Sequence, residues 1–95
     1  MATYLIASID VTDAAAYERY RALVPATIEK YGGRFLVRGG AIEPLEGQNV
    51  PKRVVVLEFP TSRQAKAWWD SPEYAPLREL RKSASRGDLF FVEGA

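Results

Sequence analysis

Three short runs of this chain carry apolar side chains on both of the faces that a β-strand presents. Residues 4–9 include Leu5 and Ile6, Arg53–Phe59 includes Val54, Val55, Val56 and Leu57, and residues 89–92 include Phe90 and Phe91. Neighbouring residues of a strand point to opposite sides of its sheet, so a sheet built from these runs has apolar groups above and below. Both faces then need cover, and what the chain has available to supply it decides the architecture.

The cover is helical. Tyr17, Tyr20, Val24, Ile28 and Tyr31 recur at spacings of three and four, which is one apolar stripe of an amphipathic helix. Glu18, Arg19, Arg21, Glu29 and Lys30 are assigned to its other side. Thr12 or Asp13 supplies a capping oxygen, and Gly32-Gly33 ends the helix. Pro25 lies inside the pattern and removes one helical hydrogen bond, so a kink is expected near Arg21 and Ala22. A second strand follows at residues 34–38 and continues weakly through 41–43. Residues 44–51 read as a loop. After the third strand, Thr61 with Gln64 forms a capping-box pattern for a short helix carrying Ala65, Trp68 and Trp69. Ser71-Pro72-Glu73 reads as the start of a last helix lined by Leu77, Leu80 and Ala84, and Arg86-Gly87-Asp88 as a turn before the fourth strand.

The order strand, helix, strand, strand, helix, strand predicts one ferredoxin-like β-α-β-β-α-β sandwich over residues 1–95, an α+β domain with a four-stranded antiparallel sheet and helices on one face. The other face remains apolar and uncovered. A second copy of the chain packed sheet against sheet is the simplest cover, which predicts a homodimer through the open sheet face. A monomer with a partly exposed apolar sheet is the competing reading.

The chemistry is bounded by what is missing. The chain has no cysteine, which excludes disulfides, thiolate nucleophiles and iron–sulfur clusters, and no histidine, which removes the usual general base and metal or haem ligand. No cofactor and no metal site are expected. The net charge of +1, without a basic stripe, argues against a nucleic-acid partner, and the third strand lacks the aromatic residues on which an RNA-recognition sheet stacks bases. No run reaches membrane-spanning length and the first residues lack a signal-peptide pattern, so no membrane partner and a cytoplasmic location are expected.

Two charges sit inside strands, Arg38 on the second and Glu58 on the third. If they converge on a pocket, Arg38 clamps an anionic group and Glu58 acts as a base or an orienter; otherwise they form a structural ion pair at a strand end or dimer seam. A one-residue shift in register separates them onto opposite faces. Trp68 and Trp69 point about 100° apart on a helix, so one belongs to the core and the other is free to wall a pocket or the dimer contact. Tyr74, at a helix junction, is a candidate proton-transfer group or a packing residue. Among Arg78, Arg81, Lys82 and Arg86, Arg81 is the one placed to turn inward.

The stretches YGGRFLVRGG at 31–40, Leu45-Glu46-Gly47, Arg53 through Pro60, Ser71-Pro72-Glu73-Tyr74 and Val92-Glu93-Gly94 together resemble the domain-of-unknown-function family 1330, small bacterial proteins of the dimeric α/β-barrel superfamily. The resemblance implies the ferredoxin-like fold and a two-fold dimer, and favours Arg38, Glu58 and Tyr74 as functional positions. The wider superfamily includes cofactor-free monooxygenases and lactone isomerases. The resulting expectation is a small enzyme acting on a compact aromatic or carboxylated molecule, with Glu58 and Tyr74 catalytic and Arg38, Trp68, Trp69 and Arg81 binding substrate. A non-catalytic ligand-binding or structural dimer is the alternative.

Overall fold

A computed structural model describes residues 1–95. The elements run β1 (Thr3–Val11), α1 (Ala14–Lys30), β2 (Arg34–Arg38), β3 (Arg53–Phe59), α2 (Ser62–Trp69), α3 (Ala75–Ala84) and β4 (Ser85–Glu93). The strands form one antiparallel sheet in the order β2-β3-β1-β4, the ferredoxin-like arrangement that the element order predicts. All three helices lie on one face.

Local chemistry sets most boundaries. Asp13 caps α1 by accepting from the Ala16 backbone N–H at 3.1 Å. At the other end Gly32, at φ +82°, and Gly33 donate to the Glu29 and Ile28 carbonyls, a closing motif that needs a residue free to adopt positive φ. Thr61 caps α2 by accepting from the Gln64 backbone N–H at 3.2 Å.

Three boundaries differ from the sequence expectation. Residues 41–43 do not extend β2; residues 39–52 form a loop whose Leu45 is 92% exposed. Ser71-Pro72-Glu73 is a turn before α3 rather than its first residues. Ser71 Oγ accepts from the Tyr74 N–H at 3.1 Å and donates to the Trp68 carbonyl at 2.8 Å, and α3 begins at Ala75 with Pro76 in its first turn, where no N–H is required. Arg86-Gly87-Asp88 is not a turn but part of β4, paired with Asp10, Ile9 and Ser8 of β1. Pairing with the whole length of β1 overrides the local turn signal. Gly87 permits that pairing, since a Cβ there meets the Ser8 carbonyl oxygen at 1.9 Å.

Register sorts every strand residue onto a face. Leu5, Ala7 and Ile9 of β1, Leu57 and Phe59 of β3 and Leu89 and Phe91 of β4 face the helices, where Tyr17, Tyr20, Val24, Ile28, Ala65, Trp68, Tyr74 and Ala84 complete the core. The opposite face carries a band running from Val37 through Val56 and Ile6 to Phe90, extended by Val54 and Val92. Polar rows border the band: Arg34, Glu58 and Tyr4 at one end, Ser8, Asp88, Asp10 and Arg86 at the other. Nothing in the chain covers it, and Phe90 is 53% exposed.

Candidate functional site

The site begins with an irregularity in β2. Arg34 pairs with Glu58 and Phe35 with Leu57, but the register shifts before Val37, so that Arg38 pairs with Val55. Without the bulge Arg38 shares a face with Glu58; with it, Arg38 turns to the helix side. There it meets α1. Pro25 has no N–H, so the Arg21 carbonyl lacks its usual helical donor, and Arg38 Nη2 donates to that carbonyl at 2.6 Å. The helix proline and the strand bulge together fix the guanidinium under α1.

Arg38 lines a cavity between the sheet and the helices, with a volume of about 30 Å³, room for one or two water molecules in this conformation. Its apolar wall includes Leu5, Ala7, Val24, Val55, Leu57 and Leu89; Arg21, Arg53, Arg81, Tyr17 and Tyr20 also face it. Four arginines and no carboxylate therefore line one apolar cavity. Arg53 Nε donates to the Tyr17 hydroxyl at 3.3 Å and its guanidinium lies 5.3 Å from the Tyr17 ring centroid. The Arg38 guanidinium lies 4.5 Å from the centroid of Phe35. Arg21 is paired with Glu18 at 3.1 Å, yet its buried Nε has no partner. Arg38, Arg53 and Arg81 form no ion pair.

Arg81 is buried, at 7% exposure, and its one side-chain bond is from Nε to the Tyr74 hydroxyl at 3.4 Å. Tyr74 is fully buried, and its hydroxyl lies 3.0 Å from that of Tyr20. Burial first, then the neighbouring Tyr74, pushes the Tyr20 phenol well above the usual range, so it stays protonated and neutral.

The predicted site residues thus divide. Arg38 and Arg81 share the cavity. Glu58 does not: it lies on the bare face, accepting from Arg34 Nε at 2.7 Å and from the Tyr4 hydroxyl at 3.0 Å. Arg34 and then Tyr4 hold its carboxyl below the usual range. Tyr74 stands behind Tyr20 and does not line the cavity. Trp68 is core, 1% exposed, with its indole N–H donating to Thr27 Oγ1 at 3.0 Å. Trp69 is half-buried and, with Leu89 and Phe91, lines a separate shallow depression, its ring flanked by Arg78 and Arg81 at 5.3 and 5.9 Å. No group of three or more acidic side chains gathers as a metal site.

Tyr17, Tyr20, Arg21 and Arg53 were not among the expected binding residues, yet two of the arginines carry a sequence signal. Arg53 has the same strand parity as Val55, Leu57 and Phe59, which face the helices. Arg21 is four residues after Tyr17 and three before Val24, at the edge of the buried stripe rather than opposite it.

The family model for the domain of unknown function DUF1330 matches residues 2–95. The chain belongs to this family. No curated protein matches it in sequence. Among solved structures, the RPA0582 protein of unknown function from Rhodopseudomonas palustris superposes with a TM-score of 0.80 at 16% identity, over 99% of this chain and 82% of that one. SnoaB, a cofactor-independent oxygenase from Streptomyces nogalater, gives 0.64 at 13% identity over 99% and 92% of the two chains. A putative antibiotic biosynthesis monooxygenase from Nitrosomonas europaea gives 0.57 at 14% identity over 98% and 89%. At these identities the likeness shows that the DUF1330 chain shares their fold. No helix is long and apolar enough to cross a membrane.

Proposed function

We propose that the protein is a homodimer that binds a compact, anionic, largely apolar organic molecule in the cavity beneath α1 and acts on it as a cofactor-independent, monooxygenase- or isomerase-like enzyme. One observation carries the reading: Arg38, Arg53 and Arg81 face an apolar cavity without a carboxylate partner. Arg81 is buried and Arg53 half-buried, and cations so placed are normally paired; together with the more exposed Arg38 they favour a ligand that brings the negative charge. The apolar wall suits a small aromatic or aliphatic body.

The chemistry open to this cavity is anion stabilisation. Its ionisable side chains are arginines and tyrosines, so it lacks a carboxylate or imidazole base. A phenol or carbon acid held among the guanidiniums loses its proton to water more readily because its anion is stabilised. Isomerisation then needs the proton to return at another carbon. Monooxygenation needs dioxygen as co-substrate, one atom retained by the product and the other leaving as water with two hydrogens from the substrate. The likeness in fold to an oxygenase supports this reading at the level of fold alone.

The missing base favours a second reading, a dimer that binds the same class of anion without turnover. Thermal stability in the presence of small organic acids and their neutral analogues tests the shared part. Selective stabilisation by the acids is expected, and equal response to both sets overturns it. Oxygen uptake and product analysis with phenolic and carbon-acid substrates then separate the readings. Turnover lost in Arg38→Ala supports the enzyme; stoichiometric binding without turnover supports the binder.

The dimer rests on the uncovered band from Val37 to Phe90, bordered by polar rows, the pattern of an apolar interface centre with a polar rim.

A further inference from the structure

Tyr20, Tyr74 and Arg81 form a hydrogen-bonded chain that ends on the cavity, and its direction is set by its buried end. Arginine only donates, so Arg81 Nε gives its proton to the Tyr74 oxygen. Tyr74 is completely buried, and its own O–H has one acceptor available, the Tyr20 oxygen at 3.0 Å. The reverse arrangement leaves the Tyr74 proton buried without a partner, which costs its full desolvation. The satisfied arrangement runs from Arg81 to Tyr74 to Tyr20 and leaves the Tyr20 O–H as a donor without an acceptor in the protein. Tyr20 lines the cavity, as does Arg81, whose terminal nitrogens make no bond within the chain.

We infer that the buried end of the cavity is an oxyanion-reading subsite, in which the Tyr20 hydroxyl and the Arg81 guanidinium donate together to a carboxylate of the ligand, with Tyr74 as the positioning residue that fixes the direction of the Tyr20 hydrogen. This deepens the anion-binding reading and rests on it. The subsite offers donors and no acceptor, so it selects against alcohols and amines, whose own hydrogens find no partner there. Arg38, Arg53 and Arg21 lie on the more exposed flank, where a larger body must displace the bonds of Arg38 to the Arg21 carbonyl and of Arg53 to Tyr17. The cavity holds one or two waters in this conformation, so acetate requires a small opening of that flank and benzoate a larger one.

The test is titration of the full-length protein, followed by NMR, with acetate and benzoate and with their neutral isosteres nitromethane and nitrobenzene. The expected result is at least tenfold preference for the acids, a fall of about tenfold in acid affinity in Tyr20→Phe, and unchanged affinity for the nitro compounds. Tyr74→Phe is expected to weaken only the acids, and to change the response of the Tyr20 hydroxyl proton to the acid. A simple packing role for Tyr74 predicts equal losses for both series and overturns its positioning role. If the acids are preferred and Arg38→Ala weakens them while Tyr20→Phe does not, the subsite assignment is overturned and the anion-binding reading stands. If wild-type protein shows no preference for acids, both fall.

Discussion

At the scale of single residues, two side chains carry sharp expectations. Gly87 sits in β4 where a Cβ meets the Ser8 carbonyl oxygen at 1.9 Å, a backbone atom that cannot swing aside. Gly87→Ala is expected to cost more than about 2 kcal/mol in a urea unfolding titration, because β4 must part from β1 to admit the methyl group. Glu73 is held at about 2 by Lys30 first, then by its own backbone amide and Tyr31. Its folded value lies below the unfolded one, so its contribution is present above the ordinary carboxylate range and is lost as pH falls toward about 2. Urea midpoints measured from neutral pH to pH 2 should show Glu73→Gln less stable at neutral pH and equal to wild type at the acid end. The pair is exposed, so the difference is small.

At the scale of elements, α1 and β2 are joined through a defect in each. Pro25 deprives the Arg21 carbonyl of a donor, and the bulge before Val37 turns Arg38 toward it. A double-mutant cycle reads this link. Arg38→Ala should cost about 0.5–1 kcal/mol in the wild-type background and nearly nothing in Pro25→Ala, where the restored N–H serves the Arg21 carbonyl. Equal costs in both backgrounds contradict the link. The helices themselves were largely legible: the Asp13 and Thr61 caps and the closing glycines of α1 act through local chemistry that a sequence displays. The start of α3 was not, because Ser71-Pro72-Glu73 makes a good turn as well as a good helix start, and the bonds of Ser71 to Trp68 and Tyr74 choose between them.

At the scale of the whole molecule, the uncovered sheet face decides behaviour in solution. Light scattering at micromolar concentration should give twice 10.6 kDa for the wild type. Phe90 is half exposed in the protomer, so Phe90→Asp leaves the core intact while placing a charge in the apolar band. A fall to the protomer mass with an unchanged circular dichroism spectrum is expected; a wild-type protein already at 10.6 kDa contradicts the dimer.

The sequence by itself determined the layers of this protein. Apolar strands and amphipathic helices are periodic signals, each readable within a few residues, and their order leaves few topologies. It also excluded thiol and imidazole chemistry outright. What only the tertiary structure decided was which charged groups meet. Arg38 and Glu58 look like neighbours on adjacent strands, yet one bulged residue places Arg38 among the cavity arginines and leaves Glu58 with Arg34 and Tyr4 on the bare face. Side-chain facing in a strand alternates with every residue, so a site made from several strands depends on register, and register is settled by the whole sheet rather than by any segment of it.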